Sequence, residues 1–131
     1  MPEYSETSRR RLITCNPLLQ QVFNEVIKYY DCSILCGYRS EKDQLIAYQE
    51  DKSKVQWPNS KHNIFPSDAV DVAPYPINWN NIKRFYYFAG FVLGVASQLR
   101  INIRFGGDWD GDEDLDDQTF NDLVHFELVM E

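Results

Sequence analysis

The sequence predicts an α+β fold, a small antiparallel sheet packed with helices in one domain. Three observations carry this. A chain of 131 residues is long enough for one buried core and too short for two. Helical and strand-like periodicities are mixed along it, and the strand-like segments are few and short, which disfavours a doubly wound parallel sheet. No repeat or linker-like composition divides the chain.

Taken in order, residues 1–14 carry charge but no apolar stripe and are expected to be a flexible or loosely packed lead-in. Asn16 is placed to cap a helix over 17–30, Pro17 suits its first position, and Leu18, Leu19, Val22, Phe23, Val26 and Ile27 form an apolar stripe at helical spacing. Residues 32–36 read as a short buried strand, left by the turn Gly37-Tyr38-Arg39-Ser40. Ser40 then caps a helix over 41–50, with Asp43 as its capping-box-like partner. Residues 51–67 are polar, contain Pro58 and Pro66, and predict a long surface loop of the kind that often carries function. A strand over 68–74 ends at Pro74, a long helix covers 78–100, and strands are expected over 101–107 and 123–130.

Several function classes are disfavoured. The net charge of −7 argues against nucleic acid, which wants a basic face. Seven of the twenty acids fall within 108–117, so the thirteen others balance the thirteen basic residues and the overall charge says little about substrate. The longest apolar run, 85–96, suits a core helix and is too short to span a bilayer. The amino terminus lacks the pattern of a secretory signal. Cys15, Cys32 and Cys36 are odd in number and without metal-type CxxC spacing, and read as small buried hydrophobes in a reducing compartment.

The chain has two histidines, His62 in "SKHNIFPSDAVDVAP" and His125 in "DLVHFEL". Strand alternation puts Ala69, Asp71 and Ala73 on one face and Val70 and Val72 on the other. In the last strand His125 and Glu127 share a face, while Phe126, Leu128 and Met130 point to a core. His62, Asp71 and His125 would then form a set of two histidines and a carboxylate, the donor set of a catalytic zinc with one open position. Asp122, three residues before His125, is placed to act as a base beside the ion without binding it, and Glu127 to support a ligand from behind. Histidines in such chains are more often loop residues or hydrogen-bonded core groups, and both readings stand on residues alone.

Together "GYRS", "SKH…AVDVAP", "GGDW" and "DLVHFEL" resemble the zinc-dependent peptidoglycan peptidases. That group includes D-alanyl-D-alanine dipeptidases and carboxypeptidases and the L-alanyl-D-glutamate endopeptidases of phage lysis systems. The family pattern is S-x-H, then A-x-D, then a carboxylate three residues before a final histidine. Ser60-Lys61-His62, Ala69-Val70-Asp71 and Asp122-Leu123-Val124-His125 match it in order.

The resemblance implies the hedgehog-like fold of that family, zinc held by His62, Asp71 and His125, Asp122 as general base, and Arg39 stabilising the oxyanion. It makes residues 1–131 one peptidase domain, monomeric, acting on the stem peptide of the cell wall. The L-alanyl-D-glutamate bond is the first expectation and terminal D-alanine the alternative. With no signal or membrane span, such an enzyme is expected to stay in the cytoplasm until it is released to the wall. The sequence departs from the compact family form in one place. Phe65 replaces a glycine and two extra residues separate His62 from Asp71, which is expected to alter the substrate groove.

Two further features invite a role. Asp108, Asp110, Asp112 and Asp114 have the every-other-residue spacing of calcium loops, so Ca2+ is a second candidate ion, although Gly111 and Thr119 do not fit the EF-hand template. Trp57, Tyr75, Trp79 and Trp109 flank the motifs and are candidates to line a groove, with Trp109 foremost. Two rivals differ in chemistry. A non-haem iron oxygenase also uses two histidines and a carboxylate, but on a many-stranded jelly roll with closer spacing. A non-catalytic wall- or metal-binding module would have no need of Asp122.

Overall fold

The computed structural model describes residues 2–108 and 122–129. Four helices and four strands follow in the order α1 (Glu6–Leu12), α2 (Pro17–Val26), β1 (Cys32–Cys36), α3 (Glu41–Gln49), β2 (Ala69–Pro74), α4 (Ile82–Gln98), β3 (Ile103–Phe105) and β4 (His125–Leu128), with a 3-10 turn at Lys61–Asn63. The strands form one antiparallel sheet in the order β1-β2-β4-β3. The α+β expectation therefore holds. β1 keeps the bounds expected of it, whereas α2, α3, α4 and the other strands are shorter than their sequence patterns, because the patterns continue into turns: residues 27–30 leave α2 as a turn, and α4 begins only after Asn81 caps it.

The lead-in is not loose. Ser5 caps α1 by accepting from the Ser8 backbone N–H, and Tyr4, Ser8 and Leu12 are buried. Ser8 Oγ accepts from Ile34 N at 3.0 Å, and Arg11 Nη1 donates to Ile34 O at 3.0 Å. β1 is an edge strand, and these side chains satisfy backbone groups that would otherwise be open to pairing with another chain. Polar anchoring of this kind leaves no apolar periodicity to read.

One face of the sheet carries the core. Val70, Val72, Phe126 and Leu128 pack against α2 and α4, and the buried ring of Phe126 meets Phe23 edge-on at 5.6 Å and Phe88 at 6.3 Å. Such aromatic pairs contribute about 0.5–1.5 kcal/mol each beyond area burial. The register then decides the opposite face. Asp71 pairs with His125 on one side and with Cys36 on the other, and Ala69 pairs with Glu127. An irregularity between Ile34 and Cys36 shifts β1 by one residue and brings Cys36 into this polar row. Among the described residues no helix is long and apolar enough to cross a membrane.

Candidate metal centre

His62 is delivered by a capped turn. Ser60 Oγ accepts from His62 N at 3.1 Å, and Asn63 Oδ1 accepts from Ser60 N at 3.0 Å, closing a reciprocal capping box. The serine of the S-K-H stretch thus shapes the backbone that carries His62. His62 Nδ1 donates to the Gly37 carbonyl at 2.7 Å, which leaves Nε2 to face Asp71 Oδ1 at 3.1 Å. Gly37 cannot be larger, because a Cβ there would run into the Thr14 side chain and the Arg11 carbonyl. β1 therefore meets α1 closely enough to present that carbonyl.

His125 arrives from β4 with the opposite nitrogen inward. Its Nε2 donates to Glu127 Oε1 at 2.8 Å, and its Nδ1 lies 3.3 Å from Asp71 Oδ1. The imidazoles of His62 and His125 stand edge to face with centroids 5.2 Å apart, and one oxygen of Asp71 contacts both. In each ring the outer nitrogen is occupied by an acceptor, so the inner nitrogen can present a lone pair. Glu127 is fixed in turn by Lys61 Nζ at 3.0 Å and Arg104 Nη2 at 2.8 Å.

Donor atoms that could hold a metal ion fall into two groups sharing Asp71. One contains Cys36 and His62, the other Asp122 and His125, and within each group the donors lie within 4.8 Å of one another. Asp71, His62 and His125 are all buried. Cys36, read from sequence as a small hydrophobe, is instead half-buried beside His62 and Asp71. Its position was hidden because the register shift in β1 cannot be seen in the sequence.

Charge is strongly perturbed here. Burial opposes ionisation of Asp71, but His62 and His125 override it and hold the carboxyl well below the usual range. Burial likewise disfavours the His62 imidazolium, yet the Asp71 carboxylate pushes its pKa up to about 10. His125 is raised by its hydrogen bonds to Asp71 and Glu127, against the same desolvation. Burial of Glu127 is outweighed by His125, Arg104 and Lys61, so that carboxyl is lowered. Asp122 goes the other way: burial first, then the Asp71 charge, raise it to about 6.

Asp122 is positioned by glycine. Its N–H donates to Gly106 O at 3.0 Å, Gly106 N donates to His125 O at 2.8 Å, and a Cβ on Gly106 would collide with the Asp122 backbone. Arg39 enters from the turn after β1. Its backbone N–H donates to His62 O at 2.7 Å, Nη1 donates to Gln44 Oε1 at 3.0 Å, and Nη2 lies 3.3 Å from Asp71 Oδ2. It is thus a largely buried partner of Asp71 and no surface ion pair.

A cleft runs over this row in two lobes, of about 790 Å3 and about 340 Å3, and Arg39, Lys52 and Asp122 line both. Trp79, 59% exposed and stacked on Phe85, lines the larger lobe. Trp57 lies elsewhere, in a small recess with Tyr48, and Tyr75 is exposed. Phe65 is also exposed, edge-on to Tyr38, and lines neither lobe. Trp109 and the calcium-loop candidates Asp110, Asp112 and Asp114 lie outside the described residues.

Sequence reasoning missed Gln44. It is fully buried, its Oε1 accepts from Arg39 and Asn63, and its Nε2 donates to Ser53 Oγ at 2.9 Å and Val55 O at 2.8 Å. One amide thereby joins the Arg39 turn, the His62 turn and the loop at 53–55.

The comparisons with known proteins agree with one another. The model of the phage L-alanyl-D-glutamate peptidase family matches residues 2–129. An L-alanyl-D-glutamate peptidase of Escherichia phage T5 is 29% identical over 135 residues, covering 97% of this chain and 98% of that protein. The crystal structure of the Serratia marcescens L-Ala D-Glu endopeptidase ChiX superposes with a TM-score of 0.76 at 24% identity, over 97% of this chain and 90% of that one, and supports the fold.

Proposed function

The chain belongs to the phage L-alanyl-D-glutamate peptidase family, and from that premise we propose that it is a zinc-dependent enzyme hydrolysing the L-alanyl–D-glutamate bond of the peptidoglycan stem peptide. The observation that supports zinc is the inward pair of imidazole nitrogens at 3.1 and 3.3 Å from one Asp71 oxygen. Donors at about 2.0–2.1 Å from a tetrahedral zinc are separated by about 3.3 Å, so these spacings suit two edges of such a site. His62, Asp71 and His125 are the ligands in this reading. A zinc ion there would polarise the scissile carbonyl and acidify a water molecule.

The chain's own residues supply the rest. Asp122, raised to about 6 by burial and the Asp71 charge and so mainly ionised at neutral pH, is suited to take a proton from the attacking water and return it to the leaving amine. Arg39, held by Gln44 and by the His62 backbone, keeps a guanidinium at the throat of the cleft, where negative charge develops on the carbonyl oxygen. Glu127 fixes the His125 tautomer, with Lys61 and Arg104 keeping that carboxylate ionised. The enzyme in this reading is a monomer that acts on the wall once it can reach it.

Digestion of purified peptidoglycan, with and without a chelator, followed by mass spectrometry, tests the proposal. Chelator-sensitive fragments with new amino-terminal D-glutamate are expected. Free D-alanine would move the cut to the peptide's far end, and intact wall with zinc bound would leave a binding module.

A further inference from the structure

A substrate cut after its L-alanyl residue carries a sugar close to the scissile bond. The alanyl amine is acylated by the lactyl group of an N-acetylmuramyl ring. One alanyl and one lactyl unit, about 7 Å when extended, therefore separate the scissile carbonyl from that ring. The larger lobe of the cleft holds an aromatic surface beside the reacting groups. Trp79 lines it together with Arg39, Asp71 and Asp122, and with Asp122 it also lines an adjoining recess of about 210 Å3. Resting on the peptidase reading above, we propose that Trp79 is the platform on which the muramyl ring stacks. The larger lobe is then the glycan side of the cleft, and the enzyme prefers stem peptides that still carry their sugar.

The indole is built as a platform. One face lies on the buried Phe85 ring, with centroids 5.4 Å apart and planes at 18°, while Trp79 itself is 59% exposed, so its other face is turned outward. The turn that carries it is braced before substrate arrives. Arg84 donates to the carbonyls of Tyr75 and Pro76, Asn78 Oδ1 accepts from Asn80 N at 3.1 Å, and Asn81 N donates to Asn78 O at 3.0 Å. A pyranose has the matching shape, an apolar face of C–H bonds and a polar rim. Covering that face with an indole removes apolar area from water and leaves the rim free to hydrogen-bond. The lining of the lobe suits the rim. Arg39 pairs with Asp71 and Lys52 with Glu50, and Asp43, Asp51 and Asp122 complete the charged groups, which makes the lobe rich in acceptors for hydroxyl and acetamido N–H donors. No anion enters on this side, because the lactyl carboxyl is consumed in its amide bond. At about 790 Å3, against about 340 Å3 for the other lobe, this one also fits the bulkier half of the substrate.

The test uses the metal-loaded protein and two synthetic substrates with the same stem peptide. One is acylated on its alanyl amine by the N-acetylmuramyl lactyl group, the other by a plain lactyl group. The wild type is expected to favour the muramyl substrate by about tenfold in kcat/KM, the scale of one aromatic contact. W79A should lose most of that preference, chiefly through a higher KM on the muramyl substrate, and W79F should keep part of it. The ratio of the two rates within one preparation is independent of how much of the protein is folded, so a destabilised W79A still gives an answer. Equal rates on the two substrates by a wild type that digests peptidoglycan would overturn this inference alone, as would a W79A that keeps the full preference or loses equally on both. If neither substrate nor peptidoglycan is cut, the peptidase reading falls and this inference falls with it.

Discussion

Gln44 Oε1 accepts from Arg39 Nη1 at 3.0 Å, and all the hydrogen-bonding capacity of that buried amide is used. Q44A would leave Arg39, Asn63, Ser53 and Val55 each short of a partner. Loss of a buried hydrogen-bonded group costs about 1–3 kcal/mol, so a lower melting temperature is expected. A fall in kcat/KM should accompany it, because Arg39 loses its brace. Thermal denaturation and kinetics check this; an unchanged kcat/KM would mean that Arg39 is held by Asp71 alone.

Metal binding should release protons. In the metal-free protein Asp71 pushes His62 up to about 10, so at neutral pH the ring carries a proton that a metal ion must displace. Affinity should therefore rise with pH up to that value. Calorimetric titration with zinc in buffers of different ionisation enthalpy is expected to show at least one proton released per ion at pH 7, from His62 and in part from the raised His125. No proton release would mean that His62 is neutral before the metal arrives.

Asp122 should titrate late. Burial and the Asp71 charge raise it to about 6 in the metal-free protein, so it is mainly protonated below that pH and ionised above it. A cation bound nearby favours the ionised form and should move the midpoint down. Carbon-13 carboxyl NMR titration, with and without zinc, reads both values. A midpoint near 4 without metal would show that the site is wetter than its burial suggests.

Much of the site was legible because strand alternation is a local rule. Asp71 and His125 lie on the polar faces of apolar-backed strands, and antiparallel register did the rest by setting them opposite each other. The caps at Asn16 and Ser40 were legible for the same reason, each being a side chain bonding its own neighbours. What could not be read depends on distant partners. α1 is held by Ser8 and Arg11 on β1, Cys36 is aimed by a register shift, and α3 inverts the usual pattern. That helix buries Gln44 and exposes Leu45 and Ile46, so hydropathy points to the wrong face.

Glu127 should matter through His125. E127Q retains an oxygen that can accept from His125 Nε2, but it removes the charge paired with Lys61 and Arg104. Loss of such an outer partner typically weakens metal binding about 10–100-fold. Competition with a chelating dye measures this directly, and wild-type affinity in E127Q would show that the hydrogen bond suffices without the charge.

Gly106 separates placement of Asp122 from its chemistry. An added Cβ would meet the Asp122 carbonyl and Cβ, and backbone cannot yield as a flexible side chain can. G106A must therefore move the chain at Asp122 away from β3, breaking the bonds from Asp122 N to Gly106 O and from Gly106 N to His125 O. The strain costs about 1–3 kcal/mol by comparison with other overpacked sites, and a base displaced by about 1 Å costs about a hundredfold in rate. The expected pattern is a modest drop in melting temperature with a far larger drop in kcat. D122N should lower kcat as much while leaving the melting temperature near wild type or above it, since it removes a charge that lies close to Asp71. Were G106A fully active, Asp122 would not need its place beside β3, and the base would have to be sought elsewhere in the cleft.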